Sequence, residues 1–176
     1  RYSRGRATNW LVLRLVLERL LRPMAAPMVD TALTQVIKHR GFSGLLLNDA
    51  RDDPSSQYHA FSAFLIGRAR YWSDSRRLAV LHTELLHRLW EATPHDGYFN
   101  IVGRGANQVK GYAAAFAASS LAAQIDATAE AADLAGKYLR ILIHNQKDDG
   151  SFPINMENVS ESADWRANPG WWSYNN

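Results

Sequence analysis

Two polar segments of the sequence carry side chains that could bind a carboxylate and move a proton. The first holds Tyr58 and His59 side by side. A phenol or an imidazole can remove or deliver a proton, and histidine titrates near neutral pH. The second segment holds Arg104, Asn107 and Gln108, which offer one cation and two amides to an anionic group. We therefore predict that Tyr58, His59, Asn107 and Arg104 are catalytic residues.

Each of these residues also has a structural interpretation, which the sequence leaves open. His59 could fill a groove between helices with a ring nitrogen hydrogen-bonded, and Arg104 and Asn107 could cap a helix. For Asp52 and Asp53 we favour a capping role at a helix N-terminus over a role as general acid or base.

Further aromatic and polar side chains lie close to these two segments or near the end of the sequence. Aromatic faces stack on the apolar faces of sugar rings or on helices of a partner, and Arg binds carboxylates. We predict a substrate-binding role for eight residues: Arg51, Gln57, Gln108, Tyr112, Trp171, Trp172, Tyr174 and Asn175.

A repeat of 53 residues predicts the elements that position these side chains. Glycines at positions 44, 97 and 150 are 53 residues apart, and in the last two turns an aspartate precedes the glycine and an aromatic residue follows it. Apolar residues before each glycine share the period: Leu33, Leu86 and Leu139; Val36, Leu89 and Leu142; Ile37, Trp90 and Ile143. Within each repeat they are spaced i, i+3, i+4, which indicates a helix packed on one side.

The repeat and its capping residues predict six helices in three pairs. They cover residues 9–22, 29–40, 56–71, 75–92, 105–124 and 128–145. We therefore predict an all-α fold, a partial α/α toroid of three helix-pair repeats with Asp-Gly-aromatic turns, in one domain over residues 1–176. The long links would emerge on one face, at the N-termini of the inner helices. Three pairs do not normally close a ring, so we expect a fragment of a longer chain.

Composition excludes several classes of protein. The 176 residues are 47% hydrophobic and 21% charged and contain no cysteine, which excludes a disordered spacer, a disulfide scaffold and a thiolate metal site. No histidine pair has metal-ligand spacing and no dinucleotide fingerprint is present, so we predict no metal, no cofactor and no nucleic-acid partner. The most apolar stretch, residues 10–21, contains three charged residues and is too short for a membrane span. Sixteen Arg against four Lys suit an anionic partner.

The chain resembles the α/α-toroid carbohydrate-active enzymes, above all the polysaccharide lyases of the alginate-lyase and heparinase type. The likeness covers most of residues 29–176: the Asp-Gly-aromatic turns, the helix start at 58–59, the segment 104–108 and the run 171–176. Such lyases use Tyr or His to take the proton next to a uronate carboxylate, and Asn, Gln or Arg to neutralise that carboxylate. The resemblance implies that His59 or Tyr58 is the base or acid. It also implies that Asn107, Gln108 and Arg104 bind the carboxylate.

The resemblance further implies an enzyme that cleaves an acidic polysaccharide or oligosaccharide by β-elimination, in the periplasm or outside the cell. The rest of the chain or a second subunit would complete the barrel. Two alternatives stay open. One is an inverting glycoside hydrolase on the same fold, which needs two carboxyl groups roughly 6.5–9.5 Å apart. The other is a non-catalytic helical-repeat module that binds a glycan or a protein.

Overall fold

The structure, a computed structural model, describes residues 7–50 and 53–155. This part of the chain is mostly helical, as predicted, and each helix lies within a few residues of its predicted bounds. The elements are α1 (Thr8–Leu21), a 3-10 turn (Pro23–Ala25), α2 (Ala26–Arg40), β1 (Phe42–Ser43), β2 (Leu46–Ala50), β3 (Asp53–Pro54), α3 (Ser56–Tyr71), α4 (Arg76–Glu91), α5 (Val109–Asp126) and α6 (Ala129–His144).

Local capping explains where several of these helices begin and end. Ser55 precedes α3 and its hydroxyl oxygen accepts a hydrogen bond from the N–H of Tyr58, and Ser75 does the same before α4. Both serines satisfy amide groups that the first turn of a helix leaves without an intrahelical partner. The three glycines that the repeat aligns, at positions 44, 97 and 150, all have positive φ, a conformation that favours glycine.

The helices pack in two layers. α1, α3 and α5 lie next to one another, with α3 in the middle, and each packs on the helix that follows it in the sequence. α2 also contacts α4. Because α3 is covered by α1, α4 and α5, buried residues surround most of its circumference, including Ala60, Ala63, Ile66 and Ala69. α5 needs small side chains for the same reason, and Ala115 and Ala118 are fully buried.

The core consists of two clusters of apolar side chains. The larger one joins α1 to α4 and is centred on residues such as Leu15, Leu33 and Ile66. The smaller one lies between α5 and α6, where the ring of Phe99 packs edge-on against Tyr112 and Tyr138, with ring centroids 5.3 and 5.4 Å apart. Aromatic pairs of this geometry are favourable beyond the area that they bury.

The apolar stripe of the third repeat is only partly buried. Leu33, Leu86 and Leu89 are buried, but Leu139 and Ile143 on α6 are 39% and 60% exposed. The expectation that each set of repeated apolar residues lies in the core is therefore wrong for these two. The periodicity identifies the helix and its face, whereas burial also needs a neighbouring element on that face.

A small three-stranded sheet is the main departure from the predicted all-α fold. β2 pairs antiparallel with β1 on one side and β3 on the other, and a bulge interrupts the second pairing between Asn48 and Ala50. The sheet occupies the link between α2 and α3, where the sequence was expected to form a loop. Residues 46–49 are buried, so β2 carries Asn48 and Asp49 into the interior.

Gly67 makes room in the middle of α3 for the imidazole of His82, which is fully buried on α4. A Cβ atom at position 67 would lie 2.6 Å from Nε2 of His82. We expect Gly67→Ala to lower the free energy of unfolding by about 1–3 kcal/mol, because a buried side chain must shift. Gly136→Ala in α6 is the matched control, since its new Cβ would meet only the flexible side chain of Arg140 at 3.6 Å.

The control should gain about 0.5–1 kcal/mol from the higher helix propensity of alanine. Chemical denaturation measures both variants. Equal effects of the two substitutions would contradict the packing argument.

Candidate functional site

The links that precede α3 and α5 lie against each other at the N-terminal ends of these helices. The N–H of Ser56 donates to the carbonyl oxygen of Val102 (3.1 Å), and the N–H of Val102 donates to Oγ of Ser56 (3.2 Å). Oγ of Ser55 donates to the carbonyl oxygen of Arg104 (2.8 Å). These bonds fix the backbone that carries Arg104 onto the first turn of α3.

Gly103 and Gly105 allow this close approach. Both have positive φ, +74° and +82°. A Cβ atom at position 103 would lie 2.0 Å from the carbonyl oxygen of Pro54, and one at position 105 would lie 2.3 Å from Nε2 of Gln57. Residues 105–108 therefore form a turn and α5 begins at Val109, four residues later than predicted.

The side chain of Arg104 is held between Asp49 and Tyr58. Its Nη2 lies 2.5 Å from Oδ2 of Asp49, and its guanidinium carbon lies 4.6 Å from the centroid of the Tyr58 ring. The Asp49 side chain is buried, whereas that of Arg104 is 23% exposed. The structure thus places Arg104 and Tyr58 in contact, with the guanidinium partly exposed and the ring buried.

Asp49 is a site residue that the sequence analysis missed. Burial raises the pKa of its carboxyl group, while the neighbouring Arg104 lowers it, and the backbone N–H of Asn9 donates to the carboxylate. Thr8 donates its hydroxyl to the carbonyl oxygens of Asn48 (2.7 Å) and Asp49 (2.8 Å), which ties β2 to the start of α1. The available signal was an acidic residue two positions after the apolar run 45–47, since a buried carboxylate needs a partner.

His59 lies inside the core and faces away from Arg104. Its Nδ1 accepts from the N–H of Leu47 (2.9 Å), and its Nε2 donates to the carbonyl oxygen of Leu85 (2.8 Å). Burial lowers its pKa to about 4. Both ring nitrogens of this neutral imidazole are thus bound to backbone, and no part of the ring is exposed. Of the two interpretations that the sequence left open, this geometry fits the groove-filling histidine and opposes a catalytic one.

Three of the predicted substrate-binding residues are also buried. Gln57 packs against Gly105, and Tyr112 belongs to the aromatic cluster with Phe99. Gln108 pairs with Asn155 in an isolated β-bridge, which brings the segment after α6 back to the start of α5. These three side chains lie in the interior next to the site, and none of them forms an exposed surface that a polymer could contact.

Asn107 is partly exposed beside Arg104 in the same link. It adopts φ +60°, and its N–H donates to the carbonyl oxygen of Asn100 at 2.6 Å. The fully buried side chain of Asn100 in turn donates to the carbonyl oxygens of Gly105 and Gln108 (3.1 and 3.0 Å). Asn100 therefore holds the turn that presents Arg104 and Asn107.

Several predicted residues lie outside the described part of the chain: Arg51, Asp52, Trp171, Trp172, Tyr174 and Asn175. Within residues 7–50 and 53–155, no cluster of three histidine or acidic side chains could hold a metal ion. None of the helices in these ranges combines the length and apolar character that crossing a bilayer requires.

Comparison with other proteins adds no family to this description. No protein-family model, no curated protein and no solved structure matches the chain. The resemblance to the α/α-toroid lyases therefore rests on the motifs of the sequence alone.

Proposed function

We propose that this chain is a carbohydrate-active domain of the α/α-toroid type that cleaves an acidic, uronate-containing polysaccharide by β-elimination. The observation that carries the proposal is the partly exposed guanidinium of Arg104, which Asp49 and Tyr58 orient at the N-terminal ends of α3 and α5. Helix N-termini carry partial positive charge, and Arg binds carboxylates in a bidentate geometry, so this place suits a uronate. The layer of α1, α3 and α5 supports the toroid, since it would form the inner ring of such a fold.

In the proposed reaction Arg104 and Asn107 bind the uronate carboxylate and stabilise the charge that develops on it. The phenolate of Tyr58 removes the proton from the carbon next to the carboxylate. A carbon–carbon double bond forms as the glycosidic carbon–oxygen bond breaks, and Tyr58 returns the proton to the departing oxygen. Tyr58 is 2% exposed beneath Arg104, so the reaction requires Arg104 to turn from the ring towards the carboxylate.

His59 has a positioning role in this proposal, one residue after Tyr58. By accepting from β2 and donating to α4, it sets the position of the first turn of α3. Asp49 has a similar role, because its carboxylate sets the direction of the Arg104 side chain. Neither residue is expected to touch the substrate, since both ring nitrogens of His59 are bound to backbone and the Asp49 carboxylate is bound by Arg104 and by the N–H of Asn9.

The test is incubation with alginate, heparin and polygalacturonate, read by the ultraviolet absorbance of an unsaturated uronate. We expect a rise with the unaltered chain. Arg104→Gln should lower kcat/KM by about 100-fold or more, because one charge-assisted contact to the developing charge is lost. Tyr58→Phe should abolish the rise, because phenylalanine cannot carry the proton.

Arg68→Gln is the matched control, since Arg68 is exposed on α3 and lies away from the site. This variant should keep the full rate. New reducing ends without a rise in ultraviolet absorbance would show that the chain hydrolyses the polymer and does not cleave it by elimination. Binding of a polysaccharide without either product would favour the non-catalytic module.

A further inference from the structure

One flank of α1 exposes large apolar side chains in a regular stripe. Trp10, Leu13, Leu17 and Leu20 are alternately three and four residues apart, which is the spacing of a seam that packs on another helix. Trp10 is 63% exposed, Leu17 49% and Leu20 44%. The first three line a groove of about 460 Å³. Soluble monomers rarely expose so large a continuous apolar patch without a binding role.

The same helix positions are buried in the neighbouring helices of the layer. Leu17, Leu65 and Ala118 are the tenth residues of α1, α3 and α5, and they are 49%, 6% and 0% exposed. Trp10 and Tyr58 are the third residues of α1 and α3, and they are 63% and 2% exposed. These positions are buried in α3 and α5, each of which packs against the preceding helix of the layer, and they are exposed in α1, which has no preceding helix among the described residues. The α1 flank is therefore an inner-layer surface that lacks its neighbour among the described residues.

The opposite edge of the layer has the complementary shape. On the flank of α5, Ala113, Ala117 and Ser120 are at least partly exposed and have small side chains, and the partly exposed ring of Phe116 borders them. Large side chains on one helix pack well into the shallow surface that small side chains leave on another. The Trp10 and Leu17 side chains could thus seat on the α5 flank.

We propose that a second copy of this chain docks head to tail, with α1 of each copy on α5 of the other. The contact would continue the packing that already joins α1 to α3 and α3 to α5 within one chain. A two-fold axis relates the two contacts, so both edges of both copies are covered and six inner helices close into one ring. The proposal is independent of the activity proposed above.

The first test measures the mass of the 176-residue chain in solution by sedimentation and light scattering. We expect a dimer, and we expect Trp10→Glu to weaken it by at least about 100-fold, because a buried charge without a partner is costly. Trp72→Glu is the matched control: Trp72 is 64% exposed at the end of α3, outside the flank, and this variant should remain a dimer. Circular dichroism shows that both variants keep their helices.

A monomeric chain at tens of micromolar would overturn the proposal. The α1 flank would then be a surface for another segment or another protein. Larger open assemblies would overturn the closed ring. A dimer that Trp10→Glu leaves intact would overturn the choice of surface.

The second test uses the absence of cysteine to fix the orientation. In the double variant Leu17→Cys with Ala117→Cys, a disulfide should join two chains, because α3 separates α1 from α5 within each copy. Leu17→Cys alone should give no crosslink. A crosslink from the single variant would mean that two α1 flanks face each other, and no crosslink in the double variant would exclude the contact between α1 and α5. Either result overturns the head-to-tail arrangement.

Discussion

Replacement of His59 by alanine is expected to lower the free energy of unfolding by about 3–5 kcal/mol. The imidazole is fully buried and bonds at both nitrogens to backbone groups of Leu47 and Leu85. Its removal leaves a cavity in the core and leaves the N–H group of Leu47 without its partner, and both are costly. Urea denaturation followed by circular dichroism measures the loss.

His39→Ala is the matched control, because His39 is exposed on α2 and should change stability by less than about 0.5 kcal/mol. A stable, folded His59→Ala chain that has lost only activity would refute the structural role. It would return His59 to the catalytic role that the sequence also allowed.

The second large effect is a loss of stability in mild acid. Burial lowers the pKa of both His59 and His82 from 6.5 to about 4, with the charge of Arg70 adding to the effect at His82. Between pH 4 and pH 6.5 these two histidines are protonated in the unfolded chain and neutral in the folded chain. Stability is therefore fully present above about pH 6.5 and falls as the pH falls to about 4, by about 3 kcal/mol for each histidine.

Two carboxyl groups also change the dependence of stability on pH. Burial raises the pKa of Asp49, so its protonation in acid favours the folded chain and opposes the histidines. The hydrogen bond from Arg70 lowers the pKa of Asp126, so the stabilising contribution of that ion pair is lost at still lower pH.

The measurement is the free energy of unfolding at several pH values between about 4 and 7. We expect stability to fall with falling pH for the unaltered chain, and we expect a slope smaller by about one proton in His82→Gln, in which His82 no longer contributes. His39→Gln should leave the slope unchanged, because that side chain is exposed. An unaltered slope in His82→Gln would show that His82 does not provide the second proton.

The helices and their turns could be predicted because their causes are local. The i, i+3, i+4 spacing of Leu33, Val36 and Ile37 identifies a helix packed on one side, and neighbouring residues determine the turn at Gly97. The positive φ values of the aligned glycines agree with the repeat that the sequence suggested. None of these features depends on a partner far away in the sequence.

The candidate site depended on contacts that only the tertiary structure decides. Tyr58 and His59 are adjacent, yet successive residues of a helix point about 100° apart, so one ring meets Arg104 and the other enters the core. Asp49 meets Arg104 across 55 positions of sequence, and no local pattern encodes that pair.

The sequence by itself determined the helices, their order and the glycine turns, but not the small sheet in the link between α2 and α3. The tertiary structure decided which polar side chains reach the surface and which apolar ones stay exposed, as at Trp10 and Ile143. The physical reason is that helix formation depends on neighbours within a turn or two, whereas burial and charge pairing depend on which element packs on each face.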